Sequence, residues 1–167
     1  MKVLLHLSLS GGNQEGDISI MYYDKAKKPL LGIPLEKPQV TVSWSCTEDD
    51  VYSVFQASNV ECIAEKYYLI TDITFLGNKH CNMGLYFNST IVKASFSRAS
   101  YGGYSSFICS YNEFQEAIVN SYGSPTTVKM SDDSFPYCVW NIEKRVNLYH
   151  YVLDRFGLEE HLYFEKA

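Results

Sequence analysis

The side chains able to do chemistry here are five cysteines, four histidines and scattered carboxylates, and their spacing argues against most of it. His80 and Cys81 are adjacent, without the short spacer a zinc site needs, and no Cys-x-x-Cys occurs. A thiol activated by a distant imidazole is conceivable, but this many cysteines and histidines give many such pairings by chance. Gly11-Gly12 and Gly102-Gly103 lack the Lys-Ser/Thr and the helix opening of a phosphate loop, so they read as turns. Asp49-Asp50 and Asp132-Asp133 have the form of acid–base pairs, yet the first suits a helix start and the second a polar loop. The expectation is a protein with no metal, no cofactor and no catalytic residues.

What must position any other site is then read from composition and period. The 167 residues, 46% hydrophobic and with 14 tyrosines, suffice for one ordinary core or for two small units sharing one. A net charge of −5 argues against a phosphate-backbone binder; it suits a basic partner, and it also suits plain solubility. No nucleic acid is expected, and with no long apolar run, no membrane insertion. Residues 1–10 look superficially like a signal peptide, but the apolar run is short and broken by His6 and Ser8. Val3, Leu5, Leu7 and Leu9 alternate as in a strand, and 17–23 continues after a Gly-rich turn as the second arm of a hairpin. The expected location is cytoplasmic, or periplasmic if a signal has been removed. Cys46, Cys62, Cys81, Cys109 and Cys138 read first as buried thiols and second as disulfide partners. Asn88-Ser89-Thr90 matches a glycosylation acceptor but falls where a turn is expected.

Residues 25–39, with Pro29, Pro34 and Pro38, form a connection or an edge, and 40–44 alternates as a strand. Thr47-Glu48-Asp49-Asp50 signals a helix start, Val51, Val54 and Phe55 supply its stripe, and Asn59 closes it. Three alternating segments follow, 67–76, 83–88 and 91–97, joined by turns at Gly77-Asn78-Lys79 and Asn88-Ser89-Thr90. A second helix is predicted from a Ser110/Glu113 capping box, with Phe114, Ala117, Ile118 and Tyr122 on one stripe and Gly123 and Pro125 ending it. Strands 137–142, 146–153 and 158–165 then form a meander. Val146, Leu148, Val152, Leu158, Leu162 and Phe164 fall on one face, and Tyr149, Tyr151, Glu159, His161 and Tyr163 on the other.

The order helix-then-meander thus occurs twice, at 47–98 and 110–167, after an N-terminal hairpin and Pro-rich connection at 1–46. The expected fold is α+β: two pseudo-repeated units of one helix plus a three-stranded antiparallel meander, forming one compact domain with the helices on one side. Recurrence of a common layout by coincidence is the alternative.

A helix ending in Tyr122-Gly123-Ser124-Pro125, followed by a strand bearing Trp140, in a tandem of such units, resembles the BamE-like and beta-lactamase-inhibitor-like folds. It also resembles immunity proteins of bacterial polymorphic toxin systems. That resemblance implies a protein that docks onto or inhibits another protein through the sheet face its helices leave uncovered. The candidate partner-binding residues are Trp140, Tyr149, Tyr151, Glu159, His161 and Tyr163, since clustered aromatics make large contacts at low entropic cost. The same tyrosines could instead cover a second helix layer. Tyr beside Glu would suit a basic cleft, such as that of a nuclease toxin. The leading expectation is a toxin-neutralising immunity protein; an envelope-associated assembly protein and a small hydrolase are the alternatives.

Overall fold

The computed structural model describes residues 31–98, 104–130, 135–154 and 157–167, apart from the side chains of 58 and 104–106. The predicted N-terminal hairpin, residues 99–103 and Asp132-Asp133 lie outside the described residues.

A small hairpin, β1 (Gly32–Pro34) and β2 (Thr41–Ser43), precedes a one-turn helix, α1 (Val51–Val54), and a 3-10 turn at Ala57–Asn59. Four strands follow: β3 (Val60–Ala64), β4 (Tyr67–Phe75), β5 (Lys79–Asn88) and β6 (Thr90–Ser97). Then come the long helix α2 (Tyr104–Tyr122) and four more strands, β7 (Thr127–Met130), β8 (Pro136–Ile142), β9 (Val146–Asp154) and β10 (Leu158–Lys166). These eight form one antiparallel sheet in the order β3-β4-β5-β6-β10-β9-β8-β7. The fold is α+β and mostly β, with each meander running to four strands where three were expected. The additional strands, β3 and β7, lie at the two edges of the sheet.

Both helices depart from their expected limits. Thr47 donates its backbone and hydroxyl protons to Asp50 Oδ2 at 2.9 and 2.7 Å, which holds the Asp50 carboxyl below its usual range, but the helix so started lasts one turn. Ser110 does not cap α2. The helix begins six residues earlier, at Tyr104, and Ser110 and Glu113 use their side chains for tertiary bonds to Arg98 instead. The C-terminus is as expected: Gly123 takes φ +78, and its amide donates to the Val119 carbonyl at 2.8 Å.

One face of the sheet is sealed. Met83, Leu85, Phe87, Ala94, Phe96, Leu148, Leu162 and Phe164 point into a single core with Ile33, Val42 and Trp44 of the hairpin region, Val51 and Phe55 of the α1 region, and Phe114 and Ile118 of α2. Phe75 and Phe96 stack at 4.1 Å, and Phe164 meets both edge-on at about 6 Å. The hairpin is tied down by Glu36, whose carboxylate accepts the amides of Gly77 (2.8 Å) and Asn78 in the left-handed turn Leu76-Gly77-Asn78. Hairpin, α1 and α2 therefore cover the same side. All five cysteines are free thiols, with Cys46, Cys81 and Cys138 buried as small core residues and Cys62 and Cys109 exposed, contrary to the expectation of five buried thiols.

Candidate binding face

On the opposite side of the sheet, the strand register lines up tyrosines from both halves of the chain. Tyr67 of β4 is opposite Tyr86 of β5, which is opposite Lys93 of β6. Across the seam, Tyr163 of β10 is opposite Tyr149 of β9, and His161 is opposite Tyr151. Tyr137 of β8 completes the row, with its ring 4.8 Å from that of Tyr151. The strip crosses six strands, about 24 Å at normal strand spacing.

The rings are packed against one another. Tyr67 and Tyr86 stack at 4.4 Å, Tyr149 and Tyr163 at 4.6 Å, and Tyr151 and His161 at 4.9 Å, with interplanar angles of 20°, 22° and 15°. Between the two clusters lies Lys93, whose Nζ is 3.8 Å from the Tyr163 ring centroid and 5.4 Å from that of Tyr86. Because ring faces are spent on neighbouring rings and on Lys93, a visitor to this surface meets mainly ring edges and hydroxyls. Burial, adjacent phenols and, for Tyr137 and Tyr163, the Glu165 carboxylate raise the pKa of Tyr67, Tyr137 and Tyr163. Tyr67 and Tyr163 also share side-chain hydrogen bonds with Tyr86 and Tyr151, respectively. Gly84 makes room for the arrangement: a Cβ there would lie 2.8 Å from Tyr67 Cε2 and 2.7 Å from Ser95 Oγ.

Five of the six expected residues, Tyr149, Tyr151, Glu159, His161 and Tyr163, share this face. Trp140 does not. It is three residues from Tyr137 on a strand of period two, so it points the other way with Cys138 and Ile142, is 2% exposed, and donates Nε1–H to the Gly123 carbonyl at 2.8 Å. Trp140 is thus a core residue that pins the end of α2. Tyr67, Tyr86, Lys93 and Tyr137 were not anticipated. Parity alone places Tyr137, whereas the other three join the face through β6–β10 pairing, which local pattern does not announce.

Directly behind the C-terminal part of the strip, a buried polar chain holds the sheet to α2. His150, fully buried between Tyr149 and Tyr151 in sequence, has Nδ1 2.6 Å from Gln115 Oε1 and Nε2 2.9 Å from Glu160 Oε1. Gln115 Nε2 points to Cys138 Sγ, which orients its oxygen toward the imidazole. Ser110 donates to Glu160 Oε2 at 2.9 Å and accepts from Arg98 Nε at 3.0 Å, and the Tyr111 ring stacks on His150 at 4.4 Å. Ser, His and Glu are here together, but the hydroxyl bonds the carboxylate and not the imidazole, and both Ser110 and His150 are buried. No nucleophile is presented to solvent by this group. A cleft of about 490 Å3 between α2 and the β4–β5 turn has an apolar floor of Phe75, Leu76 and Ala117, with Glu36, Lys79 and Glu116 at its rim. Glu36 is already engaged by Gly77 and Asn78.

No helix among the described residues is long and apolar enough to cross a membrane. A solved structure of a DUF4309 family protein, YjgB from Bacillus subtilis subsp. subtilis str. 168, is similar with a TM-score of 0.49 and 12% identity, over 86% of this chain and 93% of that one. No family model and no curated protein matches the chain.

Proposed function

We propose that this chain is a non-catalytic binding protein that docks onto another protein with its tyrosine face, most concretely an immunity protein that occludes the active site of a cognate toxin. The observation that carries the reading is the asymmetry of the sheet. Hairpin, α1 and α2 all lie on one side, and on the other Tyr67, Tyr86, Tyr137, Tyr149, Tyr151 and Tyr163 are half-buried and make ring contacts with one another. Such a strip is held ready by ring–ring contacts before any partner arrives, which lowers the entropy lost on binding. Glu159 and Glu165 beside it, with the net charge of −5, favour a partner whose docking surface has a basic rim.

We further infer that the two halves are an internal duplication. Supporting it, β3-β4-β5-β6 meets β10-β9-β8-β7 last strand to last strand and antiparallel, as a two-fold axis through the β6–β10 seam requires. A row of two tyrosines and one cationic or cation-forming residue also recurs on three adjacent strands, as Tyr67–Tyr86–Lys93 and as Tyr137–Tyr151–His161.

The test is affinity capture from the source organism with the wild type and with Tyr149→Ala/Tyr163→Ala. A protein retained by the first, lost by the second and inhibited by the wild type is expected. Equal capture by a folded double variant would move the interface off this face.

A further inference from the structure

The duplicated row differs at its cation. His161 Nε2 lies 3.6 Å from its own neighbour's carboxylate, Glu159 Oε2. Lys93, near the centre of the face on β6, has no such neighbour: among the described residues no carboxylate lies within 4 Å of its Nζ and no hydrogen-bond acceptor is in reach. Glu165 is opposite it on β10 but does not pair with it. Lys93 is half-buried and is held in place by the rings of Tyr86 and Tyr163. An ammonium in that position has lost part of its hydration and keeps its N–H donors unspent. The electrostatic demand at this point of the face is for an anion.

On the reading that this face is the docking surface, we propose that Lys93 is its specificity-determining residue and that it receives a carboxylate of the partner protein. The partner then combines a basic rim, facing Glu159, with an acidic side chain at the centre of the contact. That is the charge layout of a cleft that binds phosphate esters and keeps catalytic carboxylates at its floor. Occupying that carboxylate with an ammonium blocks it by charge as well as by volume.

A peptide display library, panned on the immobilised full chain, supplies the probe. Sequences enriched on the wild type and depleted on Tyr149→Ala/Tyr163→Ala are expected to carry Asp or Glu. A synthetic peptide of that kind should bind Lys93→Met about tenfold or more weaker, bind Lys93→Arg nearly as well as wild type, and bind Glu165→Gln tighter. Face-dependent peptides that lack acidic residues, or that bind Lys93→Met unchanged, overturn the role of Lys93 and leave the face standing. If no sequence distinguishes the wild type from the double variant, the face itself is overturned and this inference with it.

Discussion

Strands β9 and β10 show two different uses of polar and aromatic side chains on their two faces. Inside, His150 and Glu160 are bonded to each other and onward to Gln115 and Ser110, so burial is tolerated only because every polar atom has a partner. Outside, Tyr149, Tyr151 and Tyr163 are half-buried against one another, and the Lys93 ammonium rests on a ring, with no carboxylate within 4 Å of it among the described residues. The inner face uses polarity to fix one arrangement of helix on sheet. The outer face stacks ring on ring around one ammonium.

Removing one inner partner should have the largest effect. Glu160→Ala leaves His150 and Ser110 facing a buried void, and a loss of about 3–5 kcal/mol in urea unfolding is expected. A loss no larger than that of a surface substitution would show that the inner chain is not a lock. The outer face should respond in the opposite sense. Tyr149→Ala/Tyr163→Ala is expected to weaken partner binding by at least about 2 kcal/mol in calorimetry, with a smaller effect on urea unfolding than Glu160→Ala. Unfolding of the double variant would make those tyrosines core residues.

Titration separates the two faces as well. Burial raises the inward-facing Cys81 thiol from its ordinary 9.0 to about 12. The folded chain then keeps a proton that the unfolded chain releases first, so this contribution to stability is complete below pH 9.0 and is lost as pH rises toward about 12. The limiting slope is about 1.4 kcal/mol per pH unit, and Cys81→Ala should remove it when alkaline unfolding curves are compared; identical slopes would contradict it. The smallest effect expected is that of Gly84→Ala. The atoms its Cβ would crowd are side-chain atoms of Tyr67 and Ser95, so stability should change by under about 1 kcal/mol while Tyr67 is pushed off Tyr86 and its ring resonances shift in NMR spectra.

Period two and turn chemistry were enough to find β8, β9 and β10 almost to the residue, because each is half-buried and its inward and outward residues differ in kind. The edge strands could not be found that way. Every residue of β7 is exposed, as are all but the first of β3; the alternation Thr127-Val128-Lys129-Met130 lasts only four residues, and Val60–Ala64 puts Glu61 and Ile63 on one face. The start of α2 was misplaced because Ser110 and Glu113 mimic a cap, whereas their oxygens are spent on Arg98 and Glu160, partners that only tertiary structure supplies. For the binding face, the C-terminal tyrosines were legible from parity, and the same parity should have excluded Trp140. The N-terminal tyrosines belong to the strip only because β6 lies beside β10.

That seam also bears on how the molecule folds. Phe96 and Leu162 are opposite each other across it, yet they are roughly 65 residues apart along the chain. Every other neighbouring pair in the eight-stranded sheet joins strands consecutive in sequence, so each meander can zip locally and quickly. Closing β6 on β10 must wait for both, and it carries most of the loop-closure entropy. Slowing of refolding should therefore concentrate in substitutions at the seam, such as Phe96→Leu and Leu162→Val. Trimming the aromatic pairs within one meander should chiefly speed unfolding.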